Sequence, residues 1–341
     1  MRVARYYHNR DVRLEEMPTP RIGPGELLVR VEASGICGSD VLEWYRLPKA
    51  PRVLGHEIAG QIAEVGEGVK GFKEGDRVFV SHHVPCNTCY YCLRGHHTLC
   101  DTLRRTNFDP GGFAEYIRVP ALQVDRGTFL LPEGVSYEEG AFIEPLACVV
   151  RGQRLARLQP GETVLVLGSG VAGLLHIQLA RALGAGRILA TDVLDYRREV
   201  ALRFWADAAL PAQEDIPAAL RRLNDGRLAD LVITGTGAPS AIAQALNCVE
   251  RGGTVLIFAP APPGATIPFP LHDLYFHGIT LVHSYGGSPA DIAVALELIR
   301  ACRVRVGEVI THRLGLAETG LGFQLVAEAR DCLKVIVNPQ R

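Results

Sequence analysis

The chain has 341 residues, of which 48% are hydrophobic, and its 36 Lys+Arg against 37 Asp+Glu leave a formal net charge of −1. That length predicts two domains with sizeable cores, and that composition excludes a disordered chain. The balanced charge offers nothing to a nucleic acid or a membrane surface, so neither is expected as a partner.

The opening MRVARYYHNRDVRLEE has no apolar signal core, and no apolar run approaches transmembrane length, which points to a cytoplasmic protein. In such a reducing compartment the nine cysteines read as metal ligands or buried thiols before disulfides. The first part of the chain reads as β-rich, with strand-like runs at Leu14–Met17, Glu26–Ala33, Val53–Val65 and Arg77–Val80. Glycine turns at Ile22–Gly25, Gly66–Gly68 and Lys73–Asp76 separate them.

Two groups of metal-ligand residues lie in this part. Cys86, Cys89, Cys92 and Cys100 follow C-x2-C-x2-C-x7-C and can wrap one tetrahedral ion as thiolates. A closed shell of four thiolates has no open position, so a zinc ion there is structural. An iron–sulfur cluster uses similar ligands and is the competing reading. The second group is dispersed: Cys37 in Ile36-Cys-Gly-Ser-Asp40, His56 and Glu57 in Leu54-Gly-His-Glu57, and Glu144 in Ile143-Glu-Pro145. One thiolate, one imidazole and a carboxylate make a three-ligand zinc site with a position open to substrate. Taken singly, each also fits an ordinary core, turn or surface residue.

From Pro160 strands and helices alternate, as in a doubly wound α/β sheet. Thr163–Leu167 reads as a buried strand, Gly168, Gly170 and Gly173 give G-x-G-x-x-G, and a helix over Val171–Leu183 points its N-terminal amides at a phosphate. A strand over Arg187–Thr191 ends at Asp192, nineteen residues past the last glycine, where an adenosine ribose hydroxyl would sit. Arg197 and Arg198 follow, and arginines there are what an NADP site uses; with the acid present, NAD is expected. Further elements are helices over 195–205, 215–224 and 239–249 and strands over 231–234, 254–259 and 279–284. A helix over 291–302 and a last strand over 334–337 belong to a tail expected to fold back onto the first domain.

With Gly55-His-Glu57, Gly60, Val65–Gly68, Lys73–Val78, Gly111–Tyr116, the four-cysteine segment and the nucleotide turn, the chain resembles the zinc-dependent medium-chain alcohol dehydrogenases. Cys37–Asp40 and Glu144-Pro-Leu146 resemble the sorbitol and threonine dehydrogenase branch. The resemblance implies an α/β protein. A GroES-like catalytic domain would span 1–147 and 285–341 with a structural zinc lobe at 86–100, a Rossmann domain would span 148–284, and the active site would lie in the cleft between them. It implies two zinc ions per chain, one catalytic and one structural, and NAD. Cys37 and His56 would bind the catalytic zinc, Glu57 or Glu144 would complete the shell, Ser39 would accept the hydroxyl proton, and Asp40 would orient the zinc histidine. Hydride would pass from a secondary alcohol (a polyol, sugar derivative or amino alcohol) to NAD, giving a ketone. The alternatives are a threonine-type dehydrogenase and a non-catalytic protein that binds zinc and NAD. Two departures weaken sorbitol itself as substrate. Leu42 replaces a relay histidine, and Ser284-Tyr285 replaces an arginine–tyrosine pair. Trp44, Phe108 and Tyr285 are candidates for the pocket wall or, equally, plain core aromatics, and a homodimer or homotetramer is expected, with Ile279–Ser284 as a candidate contact.

Overall fold

In the computed structural model, which describes all 341 residues, Cys148–Gly286 form one unit, and Met1–Ala147 with Gly287–Arg341 form the other. The first of these holds six parallel strands: β1 (Thr163–Leu167), β2 (Arg187–Asp192), β3 (Ala208–Pro211), β4 (Ala229–Thr234), β5 (Val249–Ile257) and β6 (Thr280–His283). Their spatial order is 3-2-1-4-5-6, the Rossmann order, which reverses direction between β1 and β4. All five residues of β1 are buried, as a strand covered on both faces requires. Leu165, Leu189, Ile216, Leu220, Val232 and Val255 pack together in its core. The strand expected from Thr254 begins at Val249 instead. Gly252 at φ +78° lets the chain bulge there, and the pairing register with β4 shifts.

The other unit is built on a seven-stranded sheet. Its path runs Ile310–Gly315, Lys334–Asn338, Leu27–Gly35, Glu57–Val65, Arg77–Ser81, Thr128–Leu130, with Tyr116–Val119 also paired to Leu27–Gly35. A smaller sheet joins Asp11–Glu16, Arg2–His8 and Arg52–Val53. The run expected as one strand over Val53–Val65 is therefore two. Gly55 sits at φ +92°, and a Cβ there would lie 2.8 Å from the Phe113 amide nitrogen, so only glycine permits the turn that presents His56. Leu27, Val29, Ile58, Val78, Ile117 and Phe108 form one core cluster on this sheet. No helix is long and apolar enough to cross a membrane.

Candidate active site and metal centres

The four cysteines of the 86–100 segment converge. Their Sγ atoms lie within 4.8 Å of one another, with separations of 3.5 Å for Cys89–Cys92, 3.6 Å for Cys86–Cys100 and 4.0 Å for Cys86–Cys92. Thiolates about 2.3 Å from a tetrahedral ion stand about 3.8 Å apart, so the donor set fits zinc. Its electrostatics also ask for a cation. Hydrogen bonds from Thr88, then the Cys89 amide, push the Cys86 thiol down to about 5, while burial pushes Cys92 up to about 12. Backbone hydrogen bonds from Cys86 and Leu103 outweigh burial and lower Cys100 as well, so it is Cys92 that a bound cation would have to bring to the thiolate.

The second site is assembled from distant segments. Cys37 follows the strand Leu27–Gly35 and caps the short turn Gly38–Val41, while His56 follows the Gly55 turn and Glu57 opens the next strand. The donor atoms of Cys37, His56 and Glu57 all lie within 4.8 Å of one another. Asp40, fully buried, ties two of them together: one carboxylate oxygen accepts from the Cys37 amide at 3.1 Å, and the other is 3.4 Å from His56 Nδ1. Burial opposes the charge on Asp40, but His56, Arg46 and the Cys37 amide outweigh it and hold the carboxyl below its usual range. Burial likewise opposes a charged His56, yet Asp40 and Cys37 raise the imidazole well above its ordinary value. The pocket is a seat for positive charge, which a zinc ion on the ring and thiolate would supply. Ser39 Oγ donates to Cys37 Sγ at 3.3 Å and accepts from Arg46 at 3.0 Å.

Glu57 is 1% exposed and forms an ion pair with Lys334, itself 2% exposed, from the last strand. The strand register sets Glu57 opposite Gly35. A Cβ at Gly35 would come within 2.1 Å of Glu57 Oε2, so that glycine makes room for the pair. His82 lies 4.9 Å, ring to ring, from His56, and burial keeps it neutral by pushing it well below its ordinary value.

In the other unit the glycine turn joins β1 to the helix Val171–Ala182. Gly168 has φ +95°, Gly170 caps the helix, and a Cβ on Gly173 would lie 1.9 Å from the Gly168 carbonyl oxygen. Asp192 ends β2 and accepts from the Ser169 amide at 2.8 Å and the Leu194 amide at 3.0 Å. Arg197 Nη1 is 3.9 Å from Asp192 and faces Gly170. A cavity of about 390 Å³ opens at the carboxyl ends of β5 and β6, lined by Ile257, Phe258, His283, Ser284 and Tyr285 among others. Ligands of open α/β sheets bind at such strand ends.

Residues 23–127 match the alcohol dehydrogenase GroES-like domain, and residues 171–301 match zinc-binding dehydrogenase. The chain is 32% identical to the sorbitol dehydrogenase of Bacillus subtilis, across 100% of this chain and 98% of that protein. It is 34% identical to the L-threonine 3-dehydrogenase of Pyrococcus horikoshii, across 88% of this chain and 87% of that one. The solved structure of a Sinorhizobium meliloti protein bound to NADP superposes with a TM-score of 0.89 at 29% identity, covering 99% of both chains. The chain belongs to the zinc-dependent medium-chain alcohol dehydrogenase family. It falls in the sorbitol- and threonine-dehydrogenase-like branch, and it is an oxidoreductase that uses zinc and a nicotinamide dinucleotide.

In this dehydrogenase the remaining expected side chains stand in different surroundings. Glu144 stands half-buried at the start of the helix Ile143–Ala156 and is not one of the three clustered donors. Phe108, for which a pocket wall and the core were both open, is 2% exposed and belongs to the sheet core with Leu27 and Ile117, because its ring completes that apolar layer. Trp44 is 40% exposed on the turn of helix Glu43–Arg46, and Tyr285 lines the cavity at the strand ends. Arg46, Lys334 and His82 went unremarked in the sequence. Only a count of buried carboxylates needing countercharge could have pointed to the first two.

Proposed function

We propose that this enzyme moves hydride from a secondary alcohol of a polyol, sugar derivative or amino alcohol to NAD, giving a ketone, and holds two zinc ions per chain. The observation that carries this reading is the grouping of Cys37, His56 and Glu57 beside the hydroxyl of Ser39. Those three residues would hold the catalytic ion, and the four sulfurs of Cys86, Cys89, Cys92 and Cys100 a structural one. Bound there, zinc supplies Lewis acidity toward an alcohol oxygen, and bound NAD accepts hydride. Ser39 Oγ has one proton and two lone pairs. Its proton points to Cys37 Sγ and one lone pair accepts from Arg46, leaving the other to receive the substrate hydroxyl. A guanidinium cannot accept a proton, so Arg46 does not replace the relay histidine missing at Leu42.

Preference for NAD rests on Asp192, whose carboxylate is held by two backbone amides at the end of β2 and would accept from ribose hydroxyls. The 2′-phosphate of NADP would meet like charge there. Arg197 is the opposing feature. We expect kcat/KM to favour NAD strongly in the native enzyme and the preference to shrink or invert in Asp192→Ser. Equal use of both cofactors by the native enzyme would assign the choice to Arg197.

β6 is a free sheet edge, and the helix before it exposes Leu271, Tyr275 and Phe276 by 72%, 80% and 69%. Such an edge with apolar neighbours supports a homodimer or homotetramer. Light scattering should return a multiple of the chain mass, and a monomer mass would remove this part of the reading. The activity itself is tested by NADH fluorescence across polyols, inositols, amino alcohols and diols. At least one secondary alcohol should yield NADH, and chelation should abolish the signal. Silence across the panel by protein that binds zinc and NAD would favour the non-catalytic alternative.

A further inference from the structure

The metal-ligand loop contains a cation that its chemistry does not consume. Arg46 is 12% exposed at the side chain and reaches back across its four-residue helix to the turn Gly38–Val41. Its Nε donates to the Ser39 carbonyl at 3.0 Å, and its Nη2 donates to Ser39 Oγ at 3.0 Å and to Asp40 Oδ1 at 2.8 Å. The plane of the guanidinium also packs over the Tyr45 ring, 4.7 Å from its centroid. We propose that Arg46 is a positioning residue: it locks the Ser39–Asp40 turn and so fixes Cys37 and His56 for the catalytic zinc. This inference rests on the metal assignment proposed above.

The argument runs through Asp40. Its carboxylate is 0% exposed, and a buried carboxylate is tolerable only with countercharge and filled hydrogen bonds. Oδ1 is shared between Arg46 and His56 Nδ1, while Oδ2 takes the Cys37 amide, so one rigid group sets the placement of both donors. A carboxylate held on one side by a fixed guanidinium cannot rotate away from the imidazole. Without Arg46, Asp40 keeps only the ring and one amide, and Ser39 loses a donor at both its carbonyl and its hydroxyl. The short turn can then open, and the thiolate and ring lose their common frame. A group bonded directly to a metal ligand, as Asp40 is to His56, typically contributes about 10–100-fold to metal affinity, and Arg46 acts by holding that group in place. Lysine has a single ammonium and no planar fork, so it can take over the two Nη2 contacts but not the Nε bond to the Ser39 carbonyl as well.

The test follows zinc leaving the holoenzyme. Native protein, Arg46→Met and Arg46→Lys are mixed with the chromogenic chelator pyridylazoresorcinol, and zinc release is followed with time. The Cys37→Ala variant, which lacks the catalytic ion, identifies the phase that belongs to the four-cysteine lobe. Catalytic-zinc release should be about 10–100-fold faster in Arg46→Met, intermediate in Arg46→Lys and unchanged for the lobe phase in both. A native catalytic phase retained in Arg46→Met, with only a lower melting temperature, would overturn the proposal and leave Arg46 a fold-supporting residue. If Arg46→Met does not fold, Arg46→Lys decides: faster release supports the proposal and a native rate overturns it. Native protein that releases one zinc per chain would sink the metal assignment itself, and that failure is visible before any Arg46 variant is made.

Discussion

The two sulfur-bearing sites are held together in opposite ways. The lobe draws all four donors from Cys86–Cys100, with buried Leu103 packed on Cys92 and Cys100, and Arg126 from outside the segment meets only its backbone, at the Cys86 carbonyl, 2.7 Å away. The Cys37 site takes its donors from two segments and is braced by side chains from elsewhere: Asp40 and Arg46 behind Cys37 and His56, and Lys334 on Glu57. A site built from one short segment depends on its ion for shape, because the segment has little core of its own. A site braced by buried ion pairs keeps its shape from the protein and leaves the ion free for chemistry. The lobe therefore resembles a small metal-folded module, and the other site a preformed pocket.

The largest effects should separate the sites most cleanly. Cys37→Ala should abolish turnover while far-UV circular dichroism and NAD binding stay near native, and metal analysis should fall from two zinc per chain to one. Cys86→Ala should instead lower stability and soluble yield, since structural zinc contributes folding energy directly. One zinc in the native protein, or an iron–sulfur absorption band, would refute the pairing of roles. Bracing can be broken next. Lys334→Met leaves Glu57 buried without its partner, a change that typically destabilises by about 3–5 kcal/mol. Urea unfolding should register that loss, and adding Glu57→Gln should recover part of it through the coupling between the two sites. If Lys334→Met unfolds at the native midpoint, the pocket is not held by this pair.

The same contrast explains what the sequence made legible. The lobe and the nucleotide turn could be read directly, because their chemistry lies in spacing: three cysteines in seven residues, or three glycines in six between a buried strand and a helix. The bracing could not. Lys334 meets Glu57 across 277 positions, and only the pairing of Leu27–Gly35 with Glu57–Val65 and Lys334–Asn338 brings them together. Arg46 is nearer, six residues from Asp40, but a lone arginine in a short segment looks like a solvated charge until the carboxylate beside it proves buried. Val53–Val65 looked continuous because β-branched and leucine residues run through it, and the positive φ of Gly55 overrides that propensity. Phe108 stays ambiguous in the sequence for a related reason: an aromatic in a pocket wall and an aromatic inside a sheet layer share one letter.

The smallest expected effect decides the remaining ligand. Glu57 and Glu144 both carry the carboxylate that a three-ligand shell needs, and each change to alanine should lower kcat, by roughly 10–100-fold for the residue that stands outside the shell. Metal retention separates them. Glu57 is the one grouped with Cys37 and His56, and Lys334 engages only its Oε2, so Oε1 keeps its lone pairs for a cation. Glu57→Ala should therefore lose the catalytic zinc on dialysis against zinc-free buffer, while Glu144→Ala should keep it and show a slower turnover alone. Retention in Glu57→Ala with loss in Glu144→Ala would transfer the ligand role to Glu144 and make the Lys334 pair the reason that Glu57 stands aside. If neither substitution moves metal or rate, the open zinc site is not here. The contrast between a preformed pocket and a metal-folded lobe would then fall with it.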